Sequence, residues 1–367
     1  MHITPWEVRG EVNYDEIIKE FGVELITDDI IERLKKYTNN IHVLLRRKIF
    51  FAHREFEDWL DSFEKGIKVI LYTGRGPSGY THLGHLIPWI FTKYLQDVFK
   101  ADLYFQVTDD EKFLIHPEMS MEDIENFTND NILDIIAVGF DPERTKIFTN
   151  LNYKEIYRIA VRIARHITFS TAKATFGFTE SSNIGIIFFP AMQAAPCFLY
   201  QILEGKDAHV LIPCAIDQEP YWRISRDVAP KLRFRKPAGI YSKFIPGLGA
   251  NGKMSTSHPE TCIFLKDSPE DVKRKIWNAF TGGQPTLKEQ KEKGGNPNIC
   301  VVYWYLYFYF EDDDKKVEEI YNECISGKRI CGECKELLTK KIIEFLIEHQ
   351  KRREKAKDMV EKYLLKD

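Results

Sequence analysis

Two short segments carry residue types suited to phosphate chemistry. The first is Thr81-His82-Leu83-Gly84-His85, where two imidazoles flank a glycine at the expected opening of a helix. The free N–H groups and positive dipole of a helix start attract phosphates. Gly84 lets an adenine or ribose approach the backbone closely. His82 and His85 can hydrogen-bond phosphate oxygens as charge develops. The second segment is Gly252-Lys253-Met254-Ser255-Thr256-Ser257, in a glycine-rich stretch with Gly247 and Gly249. Lys253 offers a compact cation to a leaving pyrophosphate, and Ser255 and Ser257 offer hydroxyl or N–H donors. Stabilising the charge that appears during displacement is often the largest catalytic contribution. The first segment alone is a weak signal, and the second alone reads as a solvated turn. Together they point to nucleotide chemistry.

Elements of both kinds must hold the two segments. Residues 68–72 form an apolar run that stops at Thr73-Gly74, a buried strand feeding a turn. A helix is predicted over 82–100, a strand over 102–108, a helix over 121–139 and a strand over 145–148. Helices follow over 153–177, then a strand over 208–213 and a helix near 218–228. Strands alternating with helices predict an α/β fold, a Rossmann-like doubly wound parallel sheet. After Pro259 the patterns at 268–281, 300–310, 314–325 and 332–365 are all helical, predicting an all-helical C-terminal domain. The division expected is a lead-in over 1–66, the α/β domain over 67–262, a helical domain over 263–352 and a C-terminal helix over 353–367. Gly74-Arg75-Gly76-Pro77-Ser78-Gly79 fits G-x-G-x-x-G, which invites a dinucleotide-dependent oxidoreductase. That reading needs an acid about 20 residues on, closing the second strand. Here the second strand ends later, at Asp109, and the turn runs straight into Thr81–His85 instead.

A length of 367 residues suggests two or three domains. Its 44% hydrophobic and 29% charged residues place the chain among soluble globular proteins. A net charge of -3 leaves nucleic acid open, because binding needs a local basic patch rather than a basic average. Lys351-Arg352-Arg353 and the segment 231–236 are such patches, or else solvated faces. The first residues show no apolar run before small residues, so no secretory signal is expected. Seven scattered cysteines fit free thiols in a reducing compartment, which makes the cytoplasm the expected location. The apolar stretch 300–310 is too short to span a bilayer and reads as a buried helix. Cys331-Gly-Glu-Cys334 has Cys324 nearby but no fourth ligand at the usual zinc spacing, so no metal site is expected.

The two segments, in this order and separation, resemble the HIGH and KMSKS motifs of class I aminoacyl-tRNA synthetases. Further segments resemble the eukaryotic type of tryptophanyl-tRNA synthetase: Pro5-Trp6-Glu7-Val8, Leu71-Tyr72-Thr73-Gly74-Arg75-Gly76-Pro77-Ser78, and Gln106-Val107-Thr108-Asp109-Asp110-Glu111-Lys112. Phe189-Pro190-Ala191-Met192-Gln193-Ala194-Ala195-Pro196 and Ile212-Pro213-Cys214-Ala215-Ile216-Asp217-Gln218 belong with them. Thr256 departs from the usual Lys or Ala, and the stretch 77–82 is a residue shorter than in the family, which bears on the geometry of that turn. The resemblance implies activation of L-tryptophan with ATP, accompanied by Mg²⁺, and transfer to tRNA(Trp). It implies an ATP site of Arg75, Gly76, His82, Gly84, His85, Lys253, Met254 and Ser255, with His82, His85, Lys253 and Ser255 catalytic. It implies that Tyr72 and Gln106 contact the indole nitrogen, and that Glu111, Gln193 and Gln218 hold the amino-acid end. It further implies a homodimer, an anticodon-reading helical domain, a lead-in folded over the active site, and a final helix returning to the catalytic domain. An indole N–H donates only, so its site needs an acceptor. The tyrosyl enzymes have the same architecture but place a Tyr and Asp pair on their substrate's hydroxyl, where this sequence has Gln106. A non-catalytic tRNA-binding paralogue is the other alternative, and the intact His82, His85 and Lys253 argue against it.

Overall fold

A computed structural model describes residues 2–3, 8–9, 13–250, 254 and 258–367. Its strands are β1 His2–Ile3, β2 Val8–Arg9, β3 Glu24–Leu25, β4 Phe50–Arg54, β5 Lys68–Arg75, β6 Asp102–Val107, β7 Thr145–Thr149, β8 Ala208–Ala215 and β9 Ala238–Ser242. The helices that position the site are α1 Leu83–Phe99, α2 Asp109–Ile115, α3 Met121–Ala137, α4 Ile184–Ala194 and α5 Glu219–Leu232. A long C-terminal helix, α6, spans Cys331–Ala356.

β1 and β2 pair with each other, and the other seven strands form one sheet in the order β3-β4-β9-β8-β5-β6-β7. Five of them, from β7 to β9, are parallel. Two chain directions diverge from β5, through β6 and β7 on one side and through β8 and β9 on the other. The crevice at such a switch point, outside the carboxyl ends of the strands, is where open α/β sheets bind ligands. Alternate residues of β5 feed opposite layers: Val69 and Leu71 join one apolar core, Ile70 and Tyr72 the other. Burial on both faces explains why the strand reads as a continuous apolar run.

The expected doubly wound sheet is present, but its far edge was not legible. β4 and β9 pair antiparallel, Ala52 opposite Tyr241 and Arg54 opposite Gly239. Both strands are buried almost throughout, so neither shows an alternating pattern. Part of the 1–66 lead-in is therefore built into the sheet. The boundary expected at 352/353 falls inside the unbroken helix α6. That helix lies along α3, where His349 Nε2 stands 3.0 Å and Arg353 2.7 Å from Asp134 Oδ1. Arg352 donates to the carbonyl of Ala137 at 2.8 Å. Two members of the basic run thus serve helix packing. Arg235, in the other basic segment, pairs with Asp207 at 2.7 Å. Residues 301–310 form a buried helical stretch, α-helical over Val301–Tyr305 and a π-helix over Leu306–Phe310. The helical run Ile184–Glu204 matches a membrane span in length and composition, but 72% of its apolar 18-residue stretch is buried inside the protein. It brings Gln193 to the site.

Candidate active site

A cavity opens over the carboxyl ends of β5 and β8, lined by both of them, the start of α1, α2, α4 and the segment after β9. Its apolar end is aromatic. Phe189, Tyr221 and Trp222 line it, and Trp222 meets Tyr72 edge to face at 5.5 Å. Tyr72 is 1% exposed, and burial holds its phenol well above the usual range, so it stays protonated.

The polarity of this end is set by a chain of hydrogen bonds. Asn150 Nδ2 donates to Asp110 Oδ1 at 2.7 Å. Asn150 Oδ1 accepts from Gln106 Nε2 at 2.9 Å. The same Gln106 nitrogen faces the carbonyl of Met192 at 3.3 Å. A carbonyl can only accept. Gln106 must therefore turn Oε1 toward Tyr72, whose hydroxyl donates to it at 2.5 Å. The Tyr72 hydroxyl also faces the carbonyl of Gln193 at 3.1 Å. With its proton committed to one of two acceptors, the phenol oxygen keeps a lone pair for an incoming donor. The result is an acceptor in an aromatic pocket, the complement of an indole N–H. Gln193 Oε1 is buried without a partner, and a second acceptor there suits an ammonium. Glu111 accepts from the Thr108 hydroxyl at 2.9 Å and lies 3.1 Å from the Lys112 ammonium. Gln218 borders the same cavity at the start of α5.

At the other end His82 caps α1. Its Nδ1 accepts from the N–H of Gly84 at 3.1 Å, while its own N–H donates to His85 Nδ1 at 3.3 Å. Both Nδ1 atoms thus accept, which puts the proton of each neutral ring on Nε2. The rings stack 3.6 Å apart. A Cβ on Gly84 would stand 3.0 Å from His82 and 3.6 Å from the Cβ of Met254. Met254 is packed over the motif, its N–H donating to the carbonyl of Ile245 at 3.1 Å. Lys253 and Ser255 lie outside the described residues, as does most of Pro5-Trp6-Glu7-Val8. A Cβ on Gly76 would come within 2.0 Å of the Lys112 side chain, so glycine there makes room for that lysine. Arg75 borders the cavity, but its guanidinium is held by Asn131 at 2.7 Å and by the carbonyl of Gly79 at 3.2 Å. Its contacts tie down the turn that precedes the motif.

Sequence reasoning assigned no role to Asp110, Asn150, Lys112 or Lys243. Lys243 borders the cavity just after β9, a strand the sequence did not reveal. Burial pulls its ammonium below the usual range, and an anion beside it would offset that cost. Burial raises Asp110 to about 7, with Asp109 and Glu111 pushing the same way. Its folded pKa exceeds its unfolded one, so the ionised form costs stability above pH 7, and the cost fades as pH falls toward 3.8. Asp110→Asn keeps the acceptor for Asn150 without the charge. Its melting temperature should exceed the parent's at pH 8, with the gap narrowing below pH 7. A pH-independent difference would contradict this.

The family model for tRNA synthetases class I (W and Y) matches residues 64–347. A tryptophan–tRNA ligase of Pyrococcus furiosus is 53% identical over 364 residues, 98% of this chain and 93% of the relative. A parasite tRNA synthetase solved with product bound superposes with a TM-score of 0.92 at 41% identity, covering 96% of each chain. The tryptophanyl-tRNA synthetase of Encephalitozoon cuniculi, solved bound to tryptophan, superposes at 0.88 with 38% identity, covering 98% of this chain and 99% of that one.

Proposed function

The chain belongs to the class I tRNA synthetases of the tryptophan and tyrosine family, and from that premise we propose how its residues divide the work. The reaction is that of a tryptophan–tRNA ligase. The tryptophan carboxylate attacks the α-phosphate of ATP, giving tryptophanyl-adenylate and pyrophosphate. The adenylate then acylates the 2′-hydroxyl of the terminal adenosine of the tRNA.

In our assignment the protein forms no bond of its own to the substrate. It aligns the reactants and stabilises charge. Tyr72 accepts the indole N–H, and Gln106 fixes the direction of the Tyr72 proton. Gln193 Oε1, with Glu111 and Gln218, receives the ammonium. Gly76 and Gly84 border the cavity beside the nucleotide, where Gly76 leaves room for Lys112 and Gly84 for His82 and Met254, and Arg75 and Met254 hold the segments around it. His82 and His85 donate to phosphate oxygens from Nε2. Lys253 and Ser255 are assigned to the pyrophosphate side, and Mg²⁺ enters with ATP as its counter-ion. A division into an α/β part over 67–262, joined in its sheet by strands of the lead-in, and a helical part after it belongs to the same proposal. So do the anticodon role of the helical part, a homodimer sharing each tRNA, and a cytoplasmic location apart from any membrane.

The observation that carries this assignment is the oriented acceptor at Tyr72, in the same cavity as the stacked histidines. The test is ATP–pyrophosphate exchange with each of the twenty amino acids, with and without Lys253→Ala. Exchange with tryptophan alone, lost in the variant, is expected. Exchange with tyrosine would overturn the roles given to Tyr72 and Gln106, and full activity in Lys253→Ala would overturn that of Lys253.

A further inference from the structure

Among the described residues, the lysines and arginines that line the active-site cavity are Arg75, Lys112 and Lys243. The first two are already engaged. Asn131 and the Gly79 carbonyl hold the Arg75 guanidinium, and the charges of Asp134 and Glu111 act on it. Lys112 stands 3.1 Å from Glu111. Lys243 differs. Burial is the one influence on its ammonium, and among the described residues no charged group faces it.

What holds Lys243 is aromatic. Its Nζ stands 5.6 Å from the centre of the Tyr14 ring and 6.0 Å from that of Phe51. The two rings meet edge to face at 5.0 Å. The Tyr14 hydroxyl accepts from the backbone N–H of Phe244 at 2.9 Å, which ties its ring to the residue beside the lysine. The Lys243 backbone is fixed too, its N–H donating to the carbonyl of Ile49 at 2.9 Å. Aromatic faces attract a cation without cancelling its charge. The ammonium is therefore positioned with its charge intact, and its burial costs free energy until an anion arrives. Placement says which anion. Lys243 follows β9 at the carboxyl edge of the parallel sheet, where such sheets bind their ligands. Two residues on, the Ile245 carbonyl accepts from the N–H of Met254 at 3.1 Å. Lys243 thus stands on the wall that anchors the Lys253–Ser257 segment, whose Met254 packs over Gly84.

We propose that Lys243, held by Tyr14 and Phe51 at the rim of the cavity, binds the pyrophosphate portion of ATP and stabilises it as a leaving group. This rests on the reaction proposed above. As the tryptophan carboxylate oxygen bonds to the α-phosphorus, the bond from that phosphorus to the bridging oxygen breaks. The electron pair leaves with pyrophosphate. Lys243 keeps its proton and donates hydrogen bonds to the charge that gathers there. Tyr14 and Phe51 act through it, as positioning residues. The lead-in, which supplies both rings, thereby shares in the chemistry of a distant part of the chain.

The test measures calorimetric binding of ATP with Mg²⁺, and of AMP, to the full-length parent, Lys243→Met and Lys243→Arg. Methionine keeps an apolar stem against the two rings and removes only the charge. Lys243→Met should bind ATP roughly 10- to 100-fold more weakly, the scale of a hydrogen bond to a charged group. Its affinity for AMP, which lacks the pyrophosphate portion, should be unchanged. Lys243→Arg should recover most of the ATP affinity. In tryptophan-dependent exchange, Lys243→Met should raise the KM for pyrophosphate and leave that for tryptophan alone. Lys243→Gln gives the same reading should the methionine variant not fold. Equal ATP affinity in parent and variant would overturn the inference, whichever amino acid the enzyme activates. Equal losses for ATP and AMP would move the lysine to the nucleoside monophosphate and overturn it as well. Exchange with tyrosine in place of tryptophan would touch only the function proposed above.

Discussion

Gln106→Leu should lower kcat/KM for tryptophan by roughly 100-fold or more while leaving the KM for ATP within a few-fold. The loss has two parts. Tyr72 loses the acceptor that directs its proton, so its oxygen no longer presents a fixed lone pair to the indole. Asn150 Oδ1 and the Met192 carbonyl lose their donor in a buried site. Leaving a buried polar group unpaired costs about 1–3 kcal/mol. Tyr72→Phe should cost less, roughly 10-fold or more, because it removes the acceptor without orphaning Asn150. The double variant should fall well short of the product, since the two residues act as one unit. The same assays with phenylalanine as competitor give the discriminating measurement. Both variants should lose preference for tryptophan, because a site that no longer demands an N–H cannot reject a ring without one. Unchanged preference in Gln106→Leu would sink the role assigned to the pair.

Only the first two members of this hydrogen-bond chain could be read from the sequence. Tyr72 and Gln106 stand near the ends of apolar runs that announce their strands, and resemblance supplies a reason to look at them. Asn150 follows β7 at a turn, where Asn is ordinary. Asp110 stands in an unbroken polar run after β6, and nothing in that run says which residue is buried. Three-dimensional convergence is the missing information, and single-residue chemistry cannot supply it. The same reason hid Lys243, which depends on β9, and β9 depends on pairing with β4, a strand drawn from the distant lead-in. By contrast α1 and the two histidines flanking a glycine at its opening were legible, because a helix start is a local pattern, though the capping by His82 was not read. Arg75 shows a different limit. Its type suits phosphate, yet the fold engages it with Asn131 and Gly79.

The cap makes the second large effect separable from folding. His82 accepts from the Gly84 N–H, so His82→Ala would remove a helix cap worth about 1 kcal/mol along with the imidazole. His82→Asn keeps a cap acceptor and removes only the Nε2 donor. We expect its kcat for tryptophan-dependent pyrophosphate exchange to fall roughly 100- to 1,000-fold, the scale for deleting one preorganised donor at a developing charge. The melting temperature should stay near the parent's, and the KM for tryptophan should change little, because the acceptor assigned to the indole is on Tyr72 and not on the histidines. His85→Ala should lower kcat in the same way but also cost some stability, since His85 Nδ1 accepts the His82 backbone N–H. The two rings stack at 3.6 Å, so they form one surface of donors and their losses should not multiply. A rise in KM for tryptophan with kcat intact would place these histidines in ground-state binding and remove them from the chemical step. A fall in kcat alone, with stability unchanged, is what donors acting only on the displaced phosphates require.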